Sequence, residues 1–402
     1  MEKGIEEMPG LNSQNHRIFC ISYASKNFLS MKLVISSKIL LSALQRASGA
    51  VAVNSKLLPI SEYYLLEVTG TKLLVYATNT EISIQTEASI VEAEGDFAVA
   101  LPSVIITEAL KSMPDHPISL NVDENTSKVE MTSEFGKYEL TGQPGGDFPN
   151  IAELPEEEGI DFPAEFFEMG FRQTQVAALS DEMRKAMSGV SLKVEDGKLV
   201  FAATDGHRLI KNVFYTETGG LEKQVLLPRK SLMGALRPLL KEGEDINIRF
   251  SKENIFFATS QGLLVCRLVD QTFPNYESVI PQDNPNKLYL DRLDFINTLK
   301  RISLFSNQTT YQVIMDLKPQ SLTISSRDID FQRSGDEQFP CTYEGEDMTV
   351  SFNGRFLIEM LSVLESEQVR VDLLDNKRAT LIFPEEKVEG QDITMLIMPV
   401  VT

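Results

Sequence analysis

The residues that could perform chemistry in this chain are few. Asp205 and His207 lie two positions apart in the segment Thr204-Asp205-Gly206-His207-Arg208-Leu209, and a carboxylate near an imidazole could act as an acid–base pair. Catalysis needs a complete constellation, and neither a nucleophile nor a metal-ligand spacing accompanies this pair in a chain with 3 histidines. The Asp-Gly step is also typical of a tight turn. We therefore expect a chain that is not an enzyme.

The cysteines do not indicate a metal centre or a disulfide framework. Cys20, Cys266 and Cys341 are odd in number and far apart, which favours free thiols in a reducing compartment. The apolar run at residues 18–21 is too short for the core of a secretory signal, and no stretch of the sequence approaches the roughly 18 apolar residues of a membrane span. We expect a cytoplasmic protein without a metal or another cofactor.

The elements that would position any site follow an internal repeat of about 125 residues. Three strand-like runs that end in a polar turn begin 126 and 123 residues apart, at Lys72, Lys198 and Ser321. Three prolines close the copies at intervals of 125 residues, at Pro149, Pro274 and Pro399. Two sets of markers in one order and at one spacing predict three related units.

Counted from Met31, the repeat predicts domains at residues 31–150, 151–281 and 282–402, preceded by an extension of residues 1–30. Each unit is expected to be an α+β domain of two helices packed on antiparallel sheet. The extension is polar and lacks periodicity. We expect a disordered tail, or an upstream start codon that precedes the true start at Met31.

The helices are predicted from apolar periodicity and from turn residues at their starts. The first helix of each copy is predicted at residues 36–49, 172–188 and 291–304, and the second at residues 103–113, 229–241 and 354–365. In the window 172–188 the apolar stripe consists of Val176, Leu179, Met183 and Met187. The alternating runs 118–122 and 246–250 predict strands that bury one face.

Charge is distributed unevenly between these windows and the rest of the chain. The net charge of −20 argues against a protein that grips nucleic acid over its whole surface. The helical windows with their capping residues hold 14 Lys and Arg against 7 Asp and Glu, whereas the remainder holds 24 against 51. A solvated helix face is one interpretation. The other is a basic surface formed when three similar domains turn their helices to one side, which would suit a phosphate backbone.

Over nearly all of residues 31–402 the chain resembles the bacterial sliding clamp, the beta subunit of DNA polymerase III. The most specific match is the segment 204–209, and further matches are the segments 225–230, 268–276 and 395–400. The resemblance implies three tandem copies of a two-helix, antiparallel-sheet clamp domain that close into a six-domain ring as a head-to-tail homodimer. Such a ring encircles double-stranded DNA without sequence specificity. It tethers the polymerase catalytic subunit, the clamp loader and repair proteins through short peptide motifs, and so confers processivity.

The resemblance also implies a peptide-binding cleft between the second and third domains. Its expected lining is Met187, Thr204, Gly206, His207, Arg208, Leu209, Pro274, Val279, Leu396, Met398 and Pro399. The apolar members would form an adaptable groove, and Thr204, His207 and Arg208 would offer hydrogen bonds at its rim. Ser278 and the end Val400-Val401-Thr402 depart from basic residues common in the family, so the preferred partner motif stays open.

Two further surfaces are expected. Contacts with the DNA backbone are predicted at basic or amide groups near helix starts or in a loop, namely Lys56, Arg229, Lys230, Asn353 and Arg355. The dimer interface is predicted to place Tyr138 and Leu140 of one chain against Leu304 and Phe305 of the other. The alternative for these four residues is burial within their own domains.

Other functions stay open at this point. The main alternative is a cytoplasmic multi-domain scaffold that binds proteins and has no DNA function. An enzyme of nucleotide or peptide chemistry is a further alternative, although the sequence lacks a phosphate-binding Gly-rich loop and a nucleophile elbow.

Overall fold

The computed structural model describes residues 30–400. The predictions for residues 1–29, which include Cys20, and for Val401 and Thr402 lie outside the described residues. Within residues 30–400 the chain forms three units of helices packed on antiparallel sheet, which confirms the predicted α+β class. At 12 residues or fewer, the helices of this part of the chain are too short to span a bilayer.

The first domain is built on two helices. Its elements are α1 (Ser37–Ala47), α2 (Ser103–Lys111), β1 (Ser30–Ser36), β2 (Tyr63–Thr69), β3 (Lys72–Thr78), β4 (Ile82–Ser89), β5 (Glu92–Glu94), β6 (Phe97–Pro102), β7 (Pro117–Asp123), β8 (Lys128–Ser133), β9 (Gly136–Thr141) and β10 (Gln143–Pro144). Helix α1 begins where the Ser36 hydroxyl accepts the Ile39 N–H at 3.3 Å. Its apolar side, with Leu40 and Leu44, is buried in the core.

The second domain repeats this plan with a shorter second helix. Its elements are α3 (Ala164–Thr174), α4 (Leu232–Leu236), β11 (Ile160–Pro163), β12 (Gly189–Glu195), β13 (Lys198–Thr204), β14 (Arg208–Tyr215), β15 (Lys223–Pro228), β16 (Asp245–Phe250), β17 (Asn254–Thr259) and β18 (Gly262–Arg267). Phe167 and Phe171 of α3 are buried, and the Phe167 ring lies edge-on to Phe201 of β13 at 5.4 Å. Aromatic packing therefore fixes α3 on the sheet.

The third domain has two well-capped helices. Its elements are α5 (Arg292–Ser303), α6 (Gly354–Ser362), β19 (Asn286–Asp291), β20 (Gln312–Lys318), β21 (Ser321–Asp328), β22 (Arg333–Phe339), β23 (Thr342–Glu344), β24 (Met348–Asn353), β25 (Gln368–Leu373), β26 (Thr380–Pro384) and β27 (Gln391–Ile397). The Asp291 carboxylate accepts the Asp294 N–H at 2.8 Å at the start of α5. The Asn353 side chain accepts the N–H groups of Arg355 and Phe356 at the start of α6.

The domains are joined by antiparallel strand pairing. Strand β4 of the first domain pairs with β18 of the second, and β14 of the second pairs with β27 of the third. These two junctions create two nine-stranded sheets that each cross a domain boundary. The remaining sheets are a five-stranded sheet that ends at β9 and a four-stranded sheet that ends at β22. Strands β9 and β22 therefore each have one edge that is not paired within residues 30–400 of this chain.

Two predicted helices are wrong in extent. The helix predicted at residues 172–188 ends at Thr174, because Ala178 is extended and Asp181 caps a separate 3-10 turn at Glu182–Met187. The predicted stripe does not form one face, and Met183 is 91% exposed. The helix predicted at residues 229–241 shrinks to α4 and a 3-10 turn at Arg237–Leu239, since Pro238 lacks the N–H that a continuing α-helix would use.

The basic surface is smaller than the sequence count suggests. At least six of the 14 basic residues pair with carboxylates of this chain, in Lys111–Glu108, Arg172–Glu365, Arg237–Glu168, Lys241–Glu244, Arg301–Glu337 and Arg355–Glu359. Arg292 is 9% exposed and donates to the carbonyl oxygens of Ser366 and Leu361. The charge excess of the helical windows is therefore partly neutralised within the chain.

Candidate functional site

Two segments distant in sequence meet at the junction of the second and third domains. The turn between β13 and β14 carries His207, whose carbonyl accepts the Met398 N–H at 2.8 Å just after β27. Beyond it, the Val400 N–H donates to the Ser351 carbonyl at 2.8 Å. The turn and the C-terminal segment thus form one surface, which we call the junction cleft together with the linker segment at residues 273–280.

The turn is held by its own side chains. The Asp205 Oδ1 accepts the backbone N–H groups of His207 and Arg208 at 2.9 and 3.0 Å. The Thr204 hydroxyl donates to the Arg208 carbonyl at 2.7 Å and accepts the Gly206 N–H at 3.1 Å. Gly206 has φ +88°, a conformation that glycine adopts without strain. The segment Thr204-Asp205-Gly206 therefore encodes a rigid turn, which is the structural role that the Asp-Gly step suggested.

The floor of the junction cleft is an apolar cluster formed by both domains. Its buried members are Ala202, Leu209, Leu226, Phe273, Tyr276, Ala379, Leu381 and Leu396. Leu209 and Leu396 face each other as partners in the β14–β27 pairing. The floor is therefore part of the domain junction itself.

The predicted lining residues differ in exposure. Val279 is 56% exposed and Met398 40% exposed, and Pro274, Gly206 and His207 are exposed as well. Pro399 is buried, and Thr204 is half-buried. Met187 is half-buried at the end of a 3-10 turn, where its carbonyl accepts the Leu179 N–H at 2.9 Å. The accessible apolar groups are thus Met398, Val279 and Pro274.

Arg208 does not offer free hydrogen bonds at the rim, which corrects its predicted role. The side chain is 7% exposed and forms ion pairs with Asp205 at 3.0 Å and with Glu359 of α6 at 2.8 Å. Its guanidinium lies 4.3 Å from the centroid of the Phe356 ring. Arg208 instead fastens the turn to the third domain. The sequence does not reveal Glu359 and Phe356 as members of this site, because no local motif links them to a turn about 150 positions earlier.

The acid–base interpretation of Asp205 and His207 gains no support from the geometry. Oδ1 of Asp205 is engaged by two backbone N–H groups and Oδ2 by the Arg208 Nε at 3.0 Å. The His207 ring lies beside the Phe356 ring, with 6.4 Å between centroids. The carboxylate is committed to the turn and to an arginine, so it serves structure.

The same backbone frame recurs at the junction of the first and second domains. There the Arg267 N–H donates to the Glu81 carbonyl at 2.8 Å, and the Asn79 side chain accepts the N–H groups of Glu81 and Ile82. The side chains differ, because Ser83 stands where the cleft has Leu209 and Arg267 stands where it has Met398. The two internal junctions therefore share a backbone arrangement, but only the junction of the second and third domains has apolar side chains at these two positions.

The residues predicted to contact DNA occupy varied surroundings. Lys56 and Lys230 are exposed. Arg229 donates to the Ala178 carbonyl at 3.1 Å and to the Ser180 hydroxyl at 2.9 Å. Arg355 is exposed and paired with Glu359 at 3.1 Å. The Asn353 side-chain oxygen caps α6, so that oxygen already has a structural role.

The residues predicted at the dimer interface lie at the two sheet edges. Tyr138 and Leu140 are on one face of β9, where Tyr138 is 38% exposed and Leu140 is buried in its own domain. Leu304 and Phe305 follow α5 and are 69% and 39% exposed. For Leu140 the alternative of burial within its own domain therefore applies, whereas the other three leave apolar surface uncovered.

No cluster of three or more potential metal ligands occurs within residues 30–400. Cys266 is buried, and burial together with the nearby Glu81 carboxylate raises the pKa of its thiol to about 12. Cys341 is half-buried, and burial raises its thiol pKa as well. Raised thiol pKa values mark unreactive thiols, since the thiolate is the nucleophile.

Comparison with protein families gives three matches in chain order. The model of the N-terminal domain of the DNA polymerase III beta subunit matches residues 31–152, that of the central domain residues 162–275, and that of the C-terminal domain residues 277–401. The chain belongs to this family. Members of the DNA polymerase III beta subunit family are sliding clamps, which are non-catalytic subunits of the polymerase, and this chain shares that function. The resemblance seen in the sequence is confirmed.

Individual relatives span nearly the whole chain. The beta sliding clamp of Synechococcus elongatus is 28% identical over 380 residues, which cover 92% of this chain and 99% of that protein. A crystal structure of the Pseudomonas aeruginosa sliding clamp has a TM-score of 0.86 at 26% identity and covers 93% of this chain and 100% of its own. The Bacillus subtilis sliding clamp has a TM-score of 0.85 at 25% identity, with coverages of 93% and 100%. These likenesses disfavour a scaffold without DNA function.

Proposed function

We propose that this clamp forms a head-to-tail homodimeric ring that encircles double-stranded DNA in the cytoplasm. In this proposal the junction cleft holds short peptide segments of the polymerase catalytic subunit, the clamp loader and repair proteins. The domain limits at residues 150 and 281 are part of the proposal. The observation that carries it is that both internal junctions use one strand pairing, while β9 and β22 end their sheets. An edge strand with unsatisfied backbone groups favours pairing with another chain.

The internal junctions predict the register of the pairing between chains. The second residue of β4, Ser83, lies opposite Val265, the fourth residue of β18. The second residue of β14, Leu209, lies opposite Leu396, which stands two positions before Met398 as Val265 stands two positions before Arg267. Strand β9 is the counterpart of β18, because both begin at the glycine of an equivalent two-residue turn. Strand β22 is the counterpart of β4 and β14.

Transferring this register places specific side chains together. The fourth residue of β9, Glu139, falls opposite the partner's Ser334, so Tyr138 falls opposite the partner's Gly335 and Lys137 opposite the partner's Asp336. Opposite charges at directly paired positions stabilise a sheet. Within one chain a Cβ on Gly335 would lie 3.0 Å from the Phe305 ring. A tyrosine over that glycine would therefore cover Phe305, which supports the predicted apolar contact.

The dimer is tested by removing the apolar contact. Replacing Leu304 and Phe305 by Ala should give a folded monomer, because the lost apolar surface lies at a strand-pairing edge and not in a domain core. Analytical ultracentrifugation over a dilution series measures the dimer, and circular dichroism checks the fold. A dimer of unchanged affinity would contradict the assignment. Reversal of charge at Lys137 should weaken the dimer, and reversal at Asp336 in the same chain should restore it.

The DNA part of the proposal concerns weak and local contacts. Lys56, Arg229, Lys230, Asn353 and Arg355 remain our candidates for contacts with the DNA backbone. A net charge of −20 makes general binding unfavourable, so affinity should fall steeply with salt. Alanine at Arg229 and Lys230 should reduce loading on DNA without a change in melting temperature. Sequence-specific binding in a footprinting assay would contradict this function.

The peptide part is supported by the exposed Met398, Val279 and Pro274 above a buried apolar floor. An extended peptide with apolar anchors should bind with a dissociation constant on the order of micromolar, about 8 kcal/mol. Deleting residues 398–402 should abolish peptide binding and polymerase stimulation while the dimer persists. The substitution Met398→Ala should weaken binding in the same direction. The matched control is Arg267→Ala, which removes the equivalent side chain at the other internal junction. Processive synthesis at the wild-type level by the truncated clamp would disprove the cleft assignment.

A further inference from the structure

Four large apolar side chains, two in the first domain and two in the third, are exposed and take no part in the strand pairing described above. Val104 and Ile105 on the first turn of α2 are 73% and 57% exposed. Ile329 and Phe331 in the turn between β21 and β22 are 74% and 65% exposed. Exposed apolar groups that cluster mark interaction sites more often than scattered ones do. The internal repeat shows what their counterparts contact.

At each internal junction the turn before the pairing strand touches one position in the next domain. That position is the third residue after the end of the strand that precedes the second helix of the domain, which is β6, β15 or β24. After β15 it is Ser231, whose hydroxyl donates to the Glu81 carboxylate at 3.3 Å. After β24 it is Phe356, whose ring lies 6.4 Å from the His207 ring. After β6 it is Ile105.

At the junction of the second and third domains a second contact lies three residues later. The sixth residue after β24 is Glu359, which pairs at 2.8 Å with Arg208, the first residue of β14. The sixth residue after β6 is Glu108, and the first residue of β22 is Arg333. Glu108 is exposed and pairs with Lys111 on its own helix at 2.8 Å. Opposite charges thus stand at the two positions that correspond to the Arg208–Glu359 pair.

The turn that bears Ile329 and Phe331 is ordered in advance for such a contact. The Asp328 Oδ1 accepts the N–H groups of Asp330 and Phe331 at 3.1 and 3.3 Å, as Asp205 does in the junction cleft. The Arg333 guanidinium lies 5.2 Å from the centroid of the Phe331 ring. A preorganised turn loses little conformational entropy when it binds.

We propose that the first turns of α2 in one protomer bind the 329–333 turn of a second copy of this chain. Ile105, flanked by Val104, packs on the partner's Ile329 and Phe331, and Glu108 pairs with the partner's Arg333. This contact rests on the proposed ring dimer and is continuous with its β9–β22 pairing. The binding partner is a second copy of this chain, because the complementary apolar and charged groups lie in its first and third domains. They occupy positions equivalent to those that meet at the internal junctions.

A charge-reversal cycle tests the contact in the full-length chain. Arg333→Glu and Glu108→Arg should each raise the dimer dissociation constant on the order of tenfold or more, since a like-charge pair would then stand at each junction. The double variant should return to within about threefold of the wild type. Analytical ultracentrifugation over a dilution series gives these constants. Absence of rescue would overturn the assignment of this pair.

The apolar half of the contact has its own variants and control. Ile105→Ser and Phe331→Ser should each weaken the dimer, and the combined variant should lose less than the two losses added together, because the residues share one contact. Met183→Ser removes a side chain that is 91% exposed in the second domain and should leave the dimer unchanged. Unchanged dimers for the Ile105 and Phe331 variants would overturn the proposal. A wild-type chain that stays monomeric would instead refute the ring on which the contact depends.

Discussion

At the scale of single residues, Glu359 takes part in two ion pairs, one with a buried arginine and one with an exposed arginine. It pairs with Arg208, whose side chain is 7% exposed, and with Arg355, which is 63% exposed. Removing a buried cation leaves Asp205 without its partner at 8% exposure, whereas an exposed pair in water contributes little. The same carboxylate thus offers an internal comparison.

We predict that Arg208→Gln lowers the free energy of unfolding by about 3–5 kcal/mol. Arg355→Gln should change it by about 1 kcal/mol or less. Urea denaturation followed by circular dichroism measures both. Equal losses in the two variants would show that burial does not decide the energetics of this network.

The buried thiol gives a second prediction at this scale. Burial raises the pKa of Cys266 to about 12, so the protonated thiol dominates below that pH and the reactive thiolate is scarce at pH 8. Site-resolved mass spectrometry after iodoacetamide treatment should show Cys341 labelled before Cys266 in the native clamp. In urea both should react at similar rates. Rapid native labelling of Cys266 would contradict its burial.

At the scale of elements, the two helices of the second domain contain glycines with opposite constraints. A Cβ at Gly170 in α3 would lie 2.7 Å from the Phe214 ring and 2.8 Å from the Phe201 ring. A Cβ at Gly234 in α4 would meet nothing within 4 Å. Close packing against two rigid aromatic rings makes the first glycine a requirement of the fold, whereas the second carries the entropic cost of glycine in a helix.

We predict that Gly170→Ala destabilises the clamp by about 1–3 kcal/mol through overpacking. Gly234→Ala should stabilise it by up to about 1 kcal/mol, since alanine restricts the unfolded chain and favours helix. Thermal unfolding by calorimetry distinguishes the two signs. A neutral Gly170 variant would mean that α3 can move away from the sheet at little cost.

The elements also show where sequence reasoning works and where it stops. The repeat of strand runs and closing prolines predicted the three units, because hydrophobic alternation and turn residues act locally. The helix at residues 172–188 failed, because burial of Phe167 and Phe171 selects an earlier segment and Asp181 caps a separate turn. The segment 204–209 predicted a turn correctly, yet its partners Glu359 and Phe356 depend on tertiary pairing. Long-range contacts of this kind leave no local pattern.

At the scale of the whole molecule, one junction geometry carries different chemistry at each use. The junction of domains one and two is polar around Glu81 and Ser231, and the next junction is apolar and holds the cleft. The same antiparallel strand pairing therefore recurs at both internal junctions, while the side chains differ between them. The third use of that geometry, between β9 and β22 of two chains, would close the ring.

The proposed ring leads to a final prediction, which concerns how the clamp is held on DNA. Cysteines introduced at Lys137 and Asp336 would face each other across the proposed protomer pairing, because directly opposed residues of an antiparallel pair lie within the span of a disulfide. A clamp loaded on nicked circular DNA and then cross-linked should remain bound at roughly 1 M salt, where charges are screened beyond about 3 Å. Cutting the DNA should release it, since nothing but enclosure holds the ring. A clamp cross-linked before loading should fail to load. Release from intact circles at high salt, measured by gel filtration of the complex, would show that the clamp holds DNA by contact and not by enclosure.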